Sequence, residues 1–247
     1  MSERRSSRTK RLVFAAIVVP ALIAAYLGFR WWSRGGGGRT AQIMAWFRDP
    51  SSLADMRMQA GGRCDGAPFL FPTDGLVGFL WGDSFRPGHT HQGIDIFSGR
   101  PAGEVPVYAA YDGYLTRMPD WVSTVIIRIP NDPLNPGRQI WTYYTHMADR
   151  QGNSFIADSF PPGTSEVFVK AGTFLGSQGD YSGEPGNPTG VHLHFSIVKD
   201  DGRGSFTNEL LIRNTYDPSD YLGLALNAET NKTTIPTCVQ SEGRGDS

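Results

Sequence analysis

Between Val191 and Ile197 the chain alternates without a break: Val191, Leu193, Phe195 and Ile197 are apolar, with His192, His194 and Ser196 between them. A period of two belongs to a β-strand, so this segment predicts a strand with one core face and one face carrying two imidazoles and a hydroxyl. Such a strand belongs in a sheet with a core on one side and a polar site on the other. Short β-rich runs also occur at Val122–Ile129, Trp141–Met147 and Glu166–Val169, separated by Gly, Pro, Asn and Asp turns. No repeat of solenoid length and no long helical pattern follows Cys64. The expected fold class is mainly β, an antiparallel sheet or sandwich-like domain over residues 64–227.

Histidine is scarce, five in 247 residues, and it falls in three places: His89 and His91, His146, and His192 and His194. The first group reads His89-Thr90-His91-Gln92-Gly93-Ile94-Asp95. Gly93 and the flanking alternation favour an extended strand, in which His91 and Asp95 share a face. Imidazoles plus one carboxylate, with a fourth position left for water, form the arrangement of a catalytic zinc site. Donors of this kind without thiolate also suit manganese or iron, but zinc is the commonest choice outside the cell. A single histidine is usually a satisfied surface or core residue. Three histidine-bearing β segments in one domain are harder to dismiss.

The net charge of -1 hides an asymmetry. Residues 1–40 hold eight Lys/Arg against the single acid Glu3, whereas the other 207 residues carry a net -8. Residues 1–11 are basic, Leu12–Phe29 is an uncharged run, and Arg30-Trp31-Trp32 closes it. A run of this length nearly crosses a hydrocarbon core of about 30 Å, and the tryptophans stand where an aromatic belt lies. A cleaved signal peptide is the alternative, but Ala24-Ala25-Tyr26-Leu27 offers no small-x-small site. We therefore expect an N-terminal transmembrane helix over residues 12–32. The cation bias places residues 1–11 in the cytoplasm and the rest outside. Residues 33–63 read as a linker with a short helix, since four glycines precede Ile43, Met44, Trp46 and Phe47. Near-zero overall charge argues against nucleic acid as a partner.

Cys64 stands just before the β-rich region and Cys238 just after it. In an oxidising compartment they read as one disulfide, worth about 5 kcal/mol on the chain-entropy estimate, the alternative being two unpaired thiols. Neither has a C-x-x-C partner, so neither is expected to hold metal. Residues 228–247 read as a polar, loosely ordered tail.

Several segments, taken in order, resemble the lysostaphin/LytM-type zinc metallopeptidases that cut cell-wall peptidoglycan. They are His91-Gln92-Gly93-Ile94-Asp95-Ile96, Pro106–Gly113, Tyr144-Thr145-His146-Met147, Val169–Gly176 and Gly190-Val191-His192-Leu193-His194-Phe195. The resemblance covers roughly residues 75–225. It implies a duplicated hybrid motif fold, one zinc ion on His91, Asp95 and His194, and catalytic roles for His146 and His192. His89 has no family role and is a candidate to support His91 from behind. The implied activity is a membrane-anchored metalloendopeptidase acting on peptidoglycan stems or cross-bridges. The same fold also includes non-catalytic, wall-binding or amidase-regulating modules. The resemblance does not identify a regulatory protein partner. Asn131–Gln139, Asp149–Thr164 and Tyr181–Thr189 exceed the family's compact connections and are expected to wall the cleft.

Overall fold

The computed structural model describes residue 26, residues 38–84 and residues 87–238. Apart from Tyr26, the expected membrane span over residues 12–32 and the basic segment before it lie outside the described residues. Among the described residues no helix is long and apolar enough to cross a membrane. The framework divides into two units, residues 1–52 and 53–247. In the first, α1 (Gly38–Arg48) is a short helix within residues 33–63, as expected, and stops before Pro50. Proline has no amide proton and disfavours helix in the residue before it, so the chain turns there. The Asp49 carboxylate accepts the Ser51 amide at 3.0 Å and its hydroxyl at 2.6 Å.

Among its described residues the second unit carries eleven strands: β1 (Leu76–Phe79), β2 (Ile94–Phe97), β3 (Pro106–Tyr108), β4 (Gly113–Thr116), β5 (Val125–Ile129), β6 (Ile140–Thr145), β7 (Val167–Val169), β8 (Phe174–Ser177), β9 (Gly179–Tyr181), β10 (Pro188–Lys199) and β11 (Thr215–Tyr216). Nine form one sheet in the order β1-β2-β10-β6-β5-β4-β7, with β9 and β11 also on β10, while β3 and β8 pair separately. The pairings within the nine-stranded sheet are antiparallel, as expected.

The alternation read from the sequence gives this sheet two faces. Leu193, Phe195 and Ile197 of β10 pack in one core with Ile94 and Ile96 of β2, Tyr144 of β6 and Val125, Ile127 and Ile129 of β5. Phe69, Phe71, Val107, Leu175 and Ile156 complete that core. On the opposite face Ile126, Trp141 and Val198 form a smaller cluster, edged by Trp121, Tyr143 and Phe206. Asp95, His192, His194 and Thr145 alternate onto that same outer face.

Cys64 and Cys238 are bonded to each other, as expected, with Cα atoms 5.3 Å apart. Gly223, left-handed at φ 68°, ends α2 (Ser219–Leu222) beside this bond. A Cβ at Gly223 would stand 2.9 Å from that of Cys64. The chain from Asn227 to Cys238 is better held than its polar composition suggested. The Ala228 amide donates to the Trp81 carbonyl at 2.9 Å, and Ile235 is buried.

Candidate metal centre

β10 is the central strand of the site. His194 is in register with Asp95 of β2 on one side and with Thr145 of β6 on the other. One residue past β6 comes His146, and two residues before His194 comes His192, opposite Gly179 of β9. Residues about a hundred positions apart are therefore neighbours because three antiparallel strands meet here.

Two local expectations need correction. His91 does not lie on a strand; it stands three residues before β2, and the chain bends at Gly93. Only glycine fits at the bend, since a Cβ on Gly93 would sit 2.2 Å from the Phe195 carbonyl oxygen of β10. Likewise β6 stops at Thr145, not Met147, and His146 has a left-handed backbone at φ 73°. Such a conformation is costly for a residue with a side chain. Here β9 packs against it: a Cβ on Gly179 would lie 2.1 Å from the Ala148 oxygen and 2.5 Å from the His146 oxygen.

Backbone carbonyls orient three of the imidazoles. A carbonyl only accepts, so the ring nitrogen facing it must carry the proton. Nδ1–H of His91 donates to Leu80 O at 2.9 Å, that of His146 to Tyr181 O at 2.6 Å, and that of His192 to Gly190 O at 2.8 Å. In each neutral ring Nε2 is then left with a bare lone pair. For His91 that lone pair is 3.1 Å from Asp95 Oδ1 and 3.0 Å from His194 Nδ1. His194 Nδ1 is in turn 2.9 Å from the same carboxylate oxygen.

These three donor atoms form a nearly equilateral triangle. Ligands about 2.0–2.1 Å from one tetrahedral zinc ion stand a little over 3 Å apart, so the set fits such an ion. Its chemistry fits too, with two neutral nitrogens and one carboxylate converging as acceptors. His91, Asp95 and His194 are the residues able to hold the metal. Among them the His194 side chain is the most open, at 12% exposure, so the centre faces solvent from that side.

His146 and His192 flank the triangle with ring centroids 4.4 Å apart. His192 stacks on Phe97 at 5.0 Å and its Nε2 lies 3.6 Å from Asp95 Oδ1. Burial pushes His192 and His194 down to about 4 and lowers His146 from the usual histidine range. For His91 burial works in the same direction, but the adjacent Asp95 outweighs it and the net shift is upward. Burial alone would raise Asp95, yet the surrounding histidines hold it well below the usual carboxylate range. Asp95 is therefore ionised, and His146 and His192 are neutral at pH 7.

His89 is half-buried in the turn before His91, whereas the contact that fixes the His91 ring is to Leu80. Of the expected walls, Tyr181–Thr189 is at the site, since Tyr181 O holds His146. Asp149–Thr164 supports that wall: Arg150 pairs with Asp180 at 3.3 Å, and the Arg150 carbonyl accepts the Gly186 amide at 2.8 Å. The loop over 131–139 is not a wall. It joins β5 and β6 at the end away from Thr145, roughly 17 Å along the strand.

Sequence reasoning missed the three carbonyls, Gly179, and the loop between β10 and β11. In that loop Leu210 O accepts Gln92 Nε2 at 2.8 Å, next to His91. Backbone acceptors carry no residue signature. The length of sequence between Lys199 and Thr215 was the one available sign of that loop.

No family model matches the chain, and no curated protein matches it. Three solved structures are similar. One is the catalytic domain of an A109H mutant of the prophage-encoded M23 protein EnpA from Enterococcus faecalis, at 23% identity and TM-score 0.36, covering 60% of this chain and 95% of that one. A second is a putative glycyl-glycine endopeptidase LytM from Ruminococcus gnavus, at 25% identity and TM-score 0.35, covering 53% of this chain and 45% of that one. Lysostaphin in solution is the third, at 20% identity and TM-score 0.40, covering 66% of this chain and 55% of its own. The chain thus spans about half the length of the last two, and at these TM-scores the functional reading rests on the histidine–aspartate cluster itself.

Proposed function

We propose that this chain is a zinc metalloendopeptidase that hydrolyses peptide bonds of peptidoglycan. The observation that carries the reading is the triangle of His91 Nε2, Asp95 Oδ1 and His194 Nδ1, with edges of 2.9–3.1 Å, flanked by two neutral histidines. A bound zinc ion would lower the pKa of a water molecule to about 7 and polarise a peptide carbonyl. The chain supplies the rest. His146, with Nδ1–H fixed on Tyr181 O, presents a bare Nε2 that takes a proton from water. His192 is held by Gly190 O and Phe97 with a bare Nε2 of its own, a second acceptor for the proton drawn from water. The peptidoglycan substrate is supported by the motif resemblance and follows from no distance in the site.

We further propose that residues 12–32 anchor the chain in a bacterial membrane with the sheet domain outside. The basic block, apolar run and paired tryptophans support this placement, and the Cys64–Cys238 bond suits an oxidising compartment.

The test is to incubate the zinc-loaded protein with purified sacculi and identify released fragments by mass. Fragments with new amino termini and intact glycan bonds are expected, and His194→Ala or a chelator should abolish them. Wall binding without release, from protein shown to hold zinc, would overturn the peptidase reading in favour of a non-catalytic module.

A further inference from the structure

Arg117, the first residue past β4, is buried at 6% exposure. Its guanidinium donates Nε–H to Trp121 O at 3.0 Å, Nη1–H to Phe160 O at 2.9 Å and Nη2–H to Ser154 Oγ at 3.1 Å. A longer contact runs from Nη2 to Val122 O at 3.4 Å. Among the described residues no carboxylate makes a salt bridge to it. A buried permanent cation held by carbonyls and a hydroxyl alone is costly to keep. Its planar fork of donors does one thing that no apolar side chain could: it ties the loop between β4 and β5 to the stretch over 149–164.

Those two segments hold Met147 through its amide and its carbonyl. Ser123, next to Val122, accepts the Met147 amide at 3.0 Å. The amide of Phe155, next to Ser154, donates to the Met147 carbonyl at 2.9 Å. On the other side of His146, Thr145 Oγ1 lies 2.7 Å from Thr124 Oγ1 of the first segment. The residues before and after His146 are thus both fixed by chain that the guanidinium gathers. A left-handed residue with a side chain, such as His146 at φ 73°, persists only where its surroundings over-determine it.

We propose that Arg117 is a positioning residue for His146. By joining residues 121 and 122 to residues 154 and 160, it holds the turn in which the His146 Nδ1–H reaches Tyr181 O. The inference rests on the peptidase reading only for the proton that His146 takes; the positioning itself is a property of the chain.

The test uses the full zinc-loaded chain with Arg117→Ala and Arg117→Lys, and it has two readouts. One is peptide release from sacculi, and the other is the NMR signal of the His146 Nδ1–H proton. In both variants kcat should fall by about tenfold to a hundredfold, with KM held and zinc content at one ion, and the proton signal should shift or vanish. Guanidinium chloride, well below denaturing concentrations, should restore both readouts in Arg117→Ala, and sodium chloride should not. Guanidinium weakens folds in general, so recovery cannot come from added stability. Arg117→Lys keeps the charge and the stem but lacks the fork, and it carries the test alone if Arg117→Ala does not fold. An unmoved His146 signal in Arg117→Lys, or a loss in folded Arg117→Ala that guanidinium does not reverse, would overturn the assignment. A His146 signal lost and restored in this way, in a protein that releases no peptide even as wild type, would instead uphold Arg117 and overturn the peptidase reading.

Discussion

Two buried aspartates mark two regions with opposite solutions to one electrostatic problem. Asp132 is fully enclosed, and every strong partner is supplied by the chain. Arg138 Nε donates to its Oδ2 at 2.7 Å, the Tyr221 hydroxyl to the same oxygen at 2.8 Å, and the Leu134 amide to Oδ1 at 2.9 Å. The guanidinium is a permanent cation, and it also covers the Tyr216 ring at 4.2 Å. Asp95 is almost as enclosed, at 7% exposure, but it faces three imidazoles, two of them pushed down to about 4 by burial. The first network is complete within the polypeptide. The second gathers acceptors around a place for a positive charge that the polypeptide does not provide, and this separates a structural clasp from a reactive centre.

Removing one of the three residues able to hold a metal should have the largest effect. His194→Ala should lower peptide release by at least about a hundredfold, because a metal contributes several kcal/mol to the transition state. In thermal scans zinc should stabilise the wild type by about 4 kcal/mol at a thousand times Kd and leave His194→Ala unmoved. Asp132→Ala should show the reverse. Stripped of its carboxylate, the Arg138–Tyr221 pair should destabilise the fold by about 3 kcal/mol, read from urea unfolding. Zinc affinity per folded molecule should stay unchanged, and a parallel loss of zinc affinity would show that the two regions are one network.

A subtler perturbation is Gly179→Ala. The new methyl must displace the carbonyls of His146 and Ala148, so kcat should fall by about tenfold to a hundredfold while zinc content stays at one ion. Retained kcat would mean that the left-handed turn at His146 tolerates displacement. The smallest effect is the one set by pH. His91 has a raised pKa in the metal-free chain, so protons compete with zinc there from somewhat above pH 6.5 downward. Apparent zinc affinity should fall by up to about tenfold per pH unit below that raised value and level off above it. A competition titration with a chromogenic chelator gives the profile, and a flat profile from pH 5 to 8 would remove His91 from the ligand set.

What could be read in advance divides along physical lines. The alternation around His192 and His194 was legible because burying one face of a central strand leaves a period of two in the side chains. Cys64 and Cys238 were legible because they bracket the β-rich text. His146 was legible as a residue but not as a conformation, because nothing in Tyr144-Thr145-His146-Met147 announces a left-handed turn. That turn is imposed from outside by β9 and the carbonyl of Tyr181. The 131–139 loop was misplaced because loop length says nothing about which end of a hairpin it joins.

β10 has a consequence for timing. It supplies His192 and His194, and it occupies residues 188–199, after the other two ligands and His146 have been synthesised. His91 and His194 are 103 positions apart, so no local segment can chelate metal ahead of the fold. A chain cut short before residue 188 retains His91, Asp95 and His146 but lacks the strand that would gather them. No such fragment can assemble the histidine–aspartate cluster, which is completed in a single step when the last long strand slots between β2 and β6.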